Sequence, residues 1–333
     1  MMFKAFIAGC AGPALSDEER AFFADARPWG LILFRRNVES PAQVAALTAA
    51  FRAVVGEDAA VLVDQEGGRV QRLREPHWPS YPAAARLGAL PDAERLIELS
   101  ARLMAADLLA LGVDVDCLPV LDTPIEGAHD VIGDRAYARA PDEVARLGAA
   151  AARGLMRGGV MPVMKHIPGH GRACADSHLE LPVVSAGRAE LARDFAPFQA
   201  NAGLPAAMTA HVVYEALDPT APATQSPLVV QDIVRGNIGF DGLLMTDDLS
   251  MKALTGSFAE RTRKCFAAGL DLALHCNGDL AEAREVAEAA PDLAGKALDR
   301  VQAARAAVAR ERARGLQHFD AEEARRTLAA ALA

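Results

Sequence analysis

Val160-Met-Pro-Val-Met-Lys-His-Ile-Pro-Gly-His-Gly171 is an apolar run that ends on a cation and spills into a loop. The run Val160–Lys165 is strand-length, and Pro168, Gly169 and Gly171 shape the exit by removing a donor and permitting sharp bends. The same pattern recurs along the chain, with strands expected near Phe3–Ala8, Trp29–Phe34, Ala60–Asp64, Val115–Leu121, Val160–Lys165, Ala206–His211, Leu243–Thr246 and Leu270–His275. Helical segments lie between them. Ser16-Asp-Glu-Glu19 and Ser257-Phe-Ala-Glu260 are capping boxes, Ser40-Pro41 and Ser226-Pro227 are helix starts, and Gly56, Gly112, Gly158-Gly159 and Gly269 are stops. Eight strand–helix repeats predict a parallel sheet, closed as a single-domain α/β (β/α)8 barrel of the TIM type, although periodicity alone also fits an open doubly wound sheet. Residues 1–333 are expected to form this one catalytic domain, with the Ala/Arg/Glu-rich segment from about 290 to 333 as helices packed on the barrel.

The 333 residues carry 35 basic and 44 acidic side chains, a net charge of −9, which gives no electrostatic reason to expect nucleic acid or an anionic membrane as partner. At 51% hydrophobic and 5% aromatic, the composition favours helices on a buried sheet over an aromatic-rich β-sandwich. The five cysteines are odd in number, far apart and form no C-x-x-C, so a reducing cytosol is expected, with neither a disulfide framework nor structural zinc. Residues Met1–Gly9 lack a signal-peptide core, and no apolar run approaches the ~20 residues of a membrane span, so a cytoplasmic protein is expected.

Ionisable residues gather where the strands end: Asp64-Gln-Glu-Gly-Gly, Asp122, Lys165-His166, His211 and Thr246-Asp247-Asp248. In a parallel barrel those ends share one face, where active sites sit. Asp176-Ser-His178, on an extended segment, would put a carboxylate and an imidazole on the same side, the carboxylate orienting the ring; the alternative is an ordinary solvated loop. One of Asp247 and Asp248 is placed to react and the other to cap a helix around Leu249–Ala253, since neighbouring strand side chains point to opposite sides. Asp64–Arg72 combines acids, a Gly-Gly bend and arginines, suited to sugar hydroxyls or equally to a structural salt-bridge loop. His166, His170, His178 and Asp176 invite a metal, but Lys165 beside His166 opposes one, so neither metal nor other cofactor is expected.

Taken together, DQEGGRVQR at Asp64–Arg72, VIGDRAY at Val131–Tyr137, KHIPGHG at Lys165–Gly171, DSH at Asp176–His178 and LLMTDDLSM at Leu243–Met251 resemble glycoside hydrolase family 3, in particular its single-domain bacterial β-N-acetylglucosaminidases of peptidoglycan recycling. The resemblance implies retaining hydrolysis that removes terminal N-acetylglucosamine from muropeptides by a monomeric enzyme. It implies Asp247 as nucleophile, His178 as general acid/base oriented by Asp176 on a mobile loop, and Asp64, Arg72, Arg135, Lys165 and His166 as substrate-binding residues. Ile167, where phenylalanine is common, and Arg172-Ala-Cys-Ala175 depart from the family pattern. Arg135 carries no signal outside the resemblance; Gly133-Asp134-Arg135 otherwise looks like a turn with an incidental pair. The competing readings are a family 3 β-glucosidase, a glycoside phosphorylase, a Schiff-base aldolase using Lys165, and a non-catalytic sugar sensor.

Overall fold

The computed structural model describes residues 2–315 and 319–333. Eight parallel strands close into a barrel in the order β1-β8-β7-β6-β5-β4-β3-β2. They are β1 (Lys4–Gly9), β2 (Pro28–Leu33), β3 (Ala60–Val63), β4 (Val115–Asp116), β5 (Met161–Ile167), β6 (Ala206–Thr209), β7 (Leu243–Asp248) and β8 (Leu272–His275). Closure is carried by β1 against β8, where Ile7 pairs with Leu274. All eight expected strands are present, seven of them within two residues of their expected limits and β4 shorter, and the sheet is closed rather than open.

The strands are uninterrupted apolar runs because both faces are buried. Ile7, Ile32, Leu62, Val163, Met208, Met245 and Leu274 fill the barrel interior. Their neighbours Phe6, Leu31, Val61, Met164, Ala207, Leu244 and Ala273 face the surrounding helices. This period-two division is what a strand between two apolar layers requires.

The helices of ten residues or more are α1 (Asp17–Ala26), α2 (Pro41–Val55), α3 (Ala93–Leu109), α4 (Pro141–Gly158), α5 (Arg188–Ala200), α6 (Phe258–Ala268), α7 (Leu280–Ala289), α8 (Gly295–Gly315) and α9 (Ala321–Leu332), with a five-residue helix at Ala84–Gly88. Both expected capping boxes form, at Ser16–Glu19 and Ser257–Glu260, and Ser40 caps α2 with Pro41 in its first turn. Helices α3 and α4 approach closely because Gly154 has no side chain: a Cβ there would lie 2.3 Å from the Glu98 carbonyl oxygen. Ser226 accepts the Val229 amide as a helix start should, but Val229–Asn237 winds as a π-helix. Val301, Ala304 and Val308 of α8 join the interior cluster at the barrel's N-terminal end, and α9 lies against α3. Among the described residues no helix is long and apolar enough to cross a membrane, and all five cysteines are free.

Two local expectations are corrected. The regular ladder of β4 stops at Asp116 instead of Leu121: Pro119 has no amide to donate, so beyond it the segment keeps backbone bonds to β5 through Leu118, Pro119 and Leu121 but is assigned, among the described residues, a single bridge, Val120 to Lys165. Leu249–Ala253 is a turn, not a helix: Asp248 accepts the Ser250 amide and hydroxyl, and the Met251 amide bonds the Asp248 carbonyl.

Candidate active site

The C-terminal ends of the strands open into a cleft of about 770 Å3 lined by Asp64, Glu66, Arg72, Arg135, Lys165, His166, His170, Ser177, His178, Asp247 and Asp248, among others. Seven of the eight residues expected from sequence meet there; Asp176 stands behind His178 without lining the cleft.

Its base is a charge network. Asp64, at the end of β3, accepts Lys165 Nζ at 2.8 Å on one oxygen and Arg72 at 2.9 Å on the other. The chain turns there as a small hairpin, Gln65–Gly67 against Val70–Gln71, which brings Arg72 back over Asp64 and above the Phe34 ring at 4.9 Å. Glu66 bridges Lys165 at 2.6 Å and takes Arg135 on both oxygens at 2.8 Å. Burial alone would raise both carboxyls, but the neighbouring cations outweigh it: Asp64 is held far below the usual carboxylate range, and Glu66 is brought to about 2. Burial likewise opposes the Lys165 charge, yet Asp64 and Glu66 raise it above the usual ammonium range. A lysine so held is an ammonium, not the free amine of a Schiff-base enzyme.

The second layer holds imidazoles. Asp122, fully buried beyond β4, bonds His166 Nδ1 at 2.7 Å and also accepts the amides of His166 and His170. Fixing Nδ1 leaves Nε2 as the ring's free nitrogen. His211 spans Thr224 at 2.8 Å and the Asp248 carbonyl at 3.0 Å.

Asp247 is the penultimate residue of β7, one oxygen accepting the Asp248 amide at 2.8 Å. Burial would raise its carboxyl, but His166, His211, that amide and His178 together hold it below the ordinary value. Both Asp247 and Asp248 border the cleft, contrary to the expectation that only one could. The reason is local: the register slips between Met245 and Asp248 where β7 leaves the ladder, so strict alternation lapses. The carboxylate of Asp248 is nevertheless spent on Ser250 and the Cys276 amide, where it holds the turn after β7 and caps no helix.

Asp176 and His178 meet as expected, but through a turn and not an extended segment. One Asp176 oxygen accepts both the His178 amide at 2.9 Å and ring Nδ1 at 2.7 Å. The ring stays 62% exposed at the cleft mouth, so it is oriented without being buried. Burial opposes the Asp176 charge, but the bonds from the His178 amide and ring, with the charge of that ring, together hold its carboxyl below the ordinary value.

Sequence reasoning did not assign roles to Glu66, His170, His211 or Ser177. Glu66 stood inside the DQEGG block, and its pairing with Arg135, 69 residues away, left no local trace. Arg69, in the same block, faces outward to Asp130 and Asp134. Among the described residues, no three histidine, cysteine, aspartate or glutamate side chains cluster as a metal site.

A closed parallel barrel whose strand ends carry carboxylates, cations and an oriented imidazole has the groups that glycosidic-bond cleavage uses, an anion and a proton donor facing one cleft. Residues 5–310 match the glycosyl hydrolase family 3 N-terminal domain; the chain belongs to that family and is a glycoside hydrolase. It is 42% identical over 287 residues to a β-hexosaminidase of Alkalilimnicola ehrlichii, covering 83% of this chain and 82% of that one. Among solved structures it is similar to NagZ from Neisseria gonorrhoeae in complex with N-trifluoroacetyl-D-glucosamine, with TM-score 0.87, 35% identity, all of this chain and 99% of that one. It also matches a family 3 β-N-acetylglucosaminidase from a Paenibacillus species with TM-score 0.84 and 33% identity, covering 95% of this chain and 62% of that longer one.

Proposed function

We propose that this chain is a retaining exo-β-N-acetylglucosaminidase that removes terminal N-acetylglucosamine from muropeptides and related cell-wall fragments in the cytoplasm. The names of its relatives support the sugar. The observation that carries the chemistry is that an anionic Asp247 and the Asp176-oriented His178 border one cleft.

In the first step an Asp247 oxygen attacks the anomeric carbon while His178 gives its proton to the departing glycosidic oxygen. A covalent glycosyl ester forms and the remainder of the substrate leaves. In the second step His178 takes a proton from water, whose oxygen displaces the ester and regenerates the Asp247 carboxylate. Each group is prepared for its part. The carboxylate is ionised at neutral pH, as a nucleophile must be, and Asp176 stabilises the imidazolium that forms when His178 acts as base.

Asp64, Arg72, Arg135, Lys165 and His166 hold the sugar hydroxyls and acetamide. Their network is already ordered by mutual pairing, so donors are aimed before substrate arrives, and reorganisation during reaction is small.

The experiment is mass spectrometry of peptides after exposure to a slowly hydrolysed fluorinated N-acetylglucosaminide. An adduct on the peptide containing Asp247 is expected. An adduct on another residue, or free sugar of inverted configuration with no adduct, would overturn the mechanism. A sugar phosphate formed when phosphate is added would replace hydrolysis by phosphorolysis.

A further inference from the structure

From Cys174 to Leu181 the chain carrying Asp176 and His178 is exposed or half-buried at every residue but one: Ser177 is 2% exposed. Its hydrogen bonds are almost all internal. The His178 amide and ring go to Asp176, the Leu179 and Glu180 amides go to the Asp176 carbonyl, and Cys174 Sγ reaches only the Arg172 carbonyl. Among the described residues, one hydrogen bond from this segment reaches further back than Arg172: Ser177 Oγ to His170 Nε2, at 3.1 Å.

The partner is a fixed point. His170 is 3% exposed, its amide donates to Asp122 at 2.6 Å, and its ring stands edge-on to His166 with centroids 5.7 Å apart. Its Nδ1 has no partner among the described residues, so Ser177 is the ring's sole hydrogen-bonding contact. Burial, reinforced by His166, pushes the imidazole down to about 4, which leaves a neutral ring at physiological pH. A neutral imidazole and a hydroxyl bond in either direction, so the contact survives both tautomers.

We infer that Ser177 is a positioning residue, whose bond to His170 latches the 174–181 segment over the cleft and so sets His178 at the leaving oxygen. The same Asp122 that orients His166 anchors the latch, linking the sugar-binding layer to the loop. This inference rests on His178 being the acid/base. Only one hydrogen bond is at stake, so its loss should cost roughly tenfold, not abolish activity. The loss should fall on steps that need a proton from His178. Cleavage of an activated aryl leaving group needs little acid help, whereas cleavage of a sugar leaving group needs it fully.

The test compares the full-length protein with Ser177→Ala, Ser177→Thr, His170→Gln and the Ser177→Ala/His170→Gln double variant, with His178→Ala as reference. The substrates are a 2,4-dinitrophenyl N-acetyl-β-glucosaminide and N,N′-diacetylchitobiose. Ser177→Ala should lower kcat/KM for the disaccharide roughly tenfold while leaving the aryl substrate within about twofold, the same tilt as His178→Ala but smaller. Ser177→Thr should restore activity, and the double variant should be no worse than the poorer single one. Hydrogen exchange of amides 174–181 should accelerate in Ser177→Ala. Unchanged exchange, or an equal loss on both substrates, overturns the latch. If His178→Ala itself shows no tilt, the acid/base reading fails, and the exchange measurement still decides whether Ser177 holds the segment.

Discussion

Glu66 and Lys165 lie 2.6 Å apart at the cleft base, and the same carboxylate accepts from Nε and Nη2 of Arg135. One buried anion therefore holds two cations that line the cleft. Glu66→Gln keeps the shape but removes the charge, leaving Arg135 without a counter-ion and Lys165 with Asp64 alone. Breaking a buried pair from one side costs about 3–5 kcal/mol. Urea denaturation should show a loss of that order, and kcat/KM should fall through KM as well as kcat, because both cations lose their aim. A variant with native stability and kinetics would mean the network is ornamental.

The same carboxyl gives a pH dependence whose sign is fixed. Glu66 goes from an ordinary 4.5 to about 2 in the folded protein. Between those values the unfolded chain binds the proton first, so acid favours unfolding. The stability this group contributes is complete above pH 4.5 and is lost progressively as pH falls toward 2. The difference in denaturation midpoint between the native protein and Glu66→Gln should thus be constant from neutral pH down to about 5 and shrink below it. A difference that widened in acid would contradict the ion-pair account.

Asp247 and His178 should separate kinetically. His178→Ala is expected to lose roughly 10²–10⁴-fold on a poor leaving group, and Asp247→Ala more, since the covalent route goes with it. Added azide offers a sharper distinction. It needs no general base, so it should rescue the second step in His178→Ala on an aryl substrate and yield a glycosyl azide of retained configuration. Asp247→Ala, if rescued at all, should give the inverted azide. Retained product from Asp247→Ala would remove it as nucleophile.

What was legible in the sequence was whatever depended on short-range pattern. The eight apolar runs, the capping boxes and the DSH contact all express local periodicity or spacing. Arg135 was not legible that way, because its meaning lies in Glu66, which only the pairing of β3 with β4 brings near. The turn after Asp248 departs from the expected helix because an aspartate before an apolar run can cap either a helix or a turn, and here Ser250 donates to it from both amide and hydroxyl. The truncated ladder of β4 shows the reverse case, in which a visible Pro119 was outweighed by the apolar residues around it. Closure itself, expressed in the Ile7–Leu274 pairing of the first and last strands, leaves no trace in any one segment.

Gly171 supplies a prediction about how the catalytic loop is seated. A Cβ at this position would lie 2.1 Å from the Thr123 carbonyl oxygen and 2.4 Å from its carbon. Backbone cannot swing aside as a long side chain can, so Gly171→Ala must push the loop after β5 away from the loop after β4. The Ile125 amide bond to the Gly171 carbonyl, 3.3 Å, would be strained in the same movement. Overpacking of this kind costs about 1–3 kcal/mol. The displacement begins six residues before Ser177 and seven before His178, so activity should fall further than stability alone explains. Gly203→Ala is the control: nothing lies within 4 Å of its Cβ position, and it should stay within about 0.5 kcal/mol of native stability. Equal behaviour of the two variants, in urea midpoint and in kcat, would show that the loop is not seated on the Thr123 backbone.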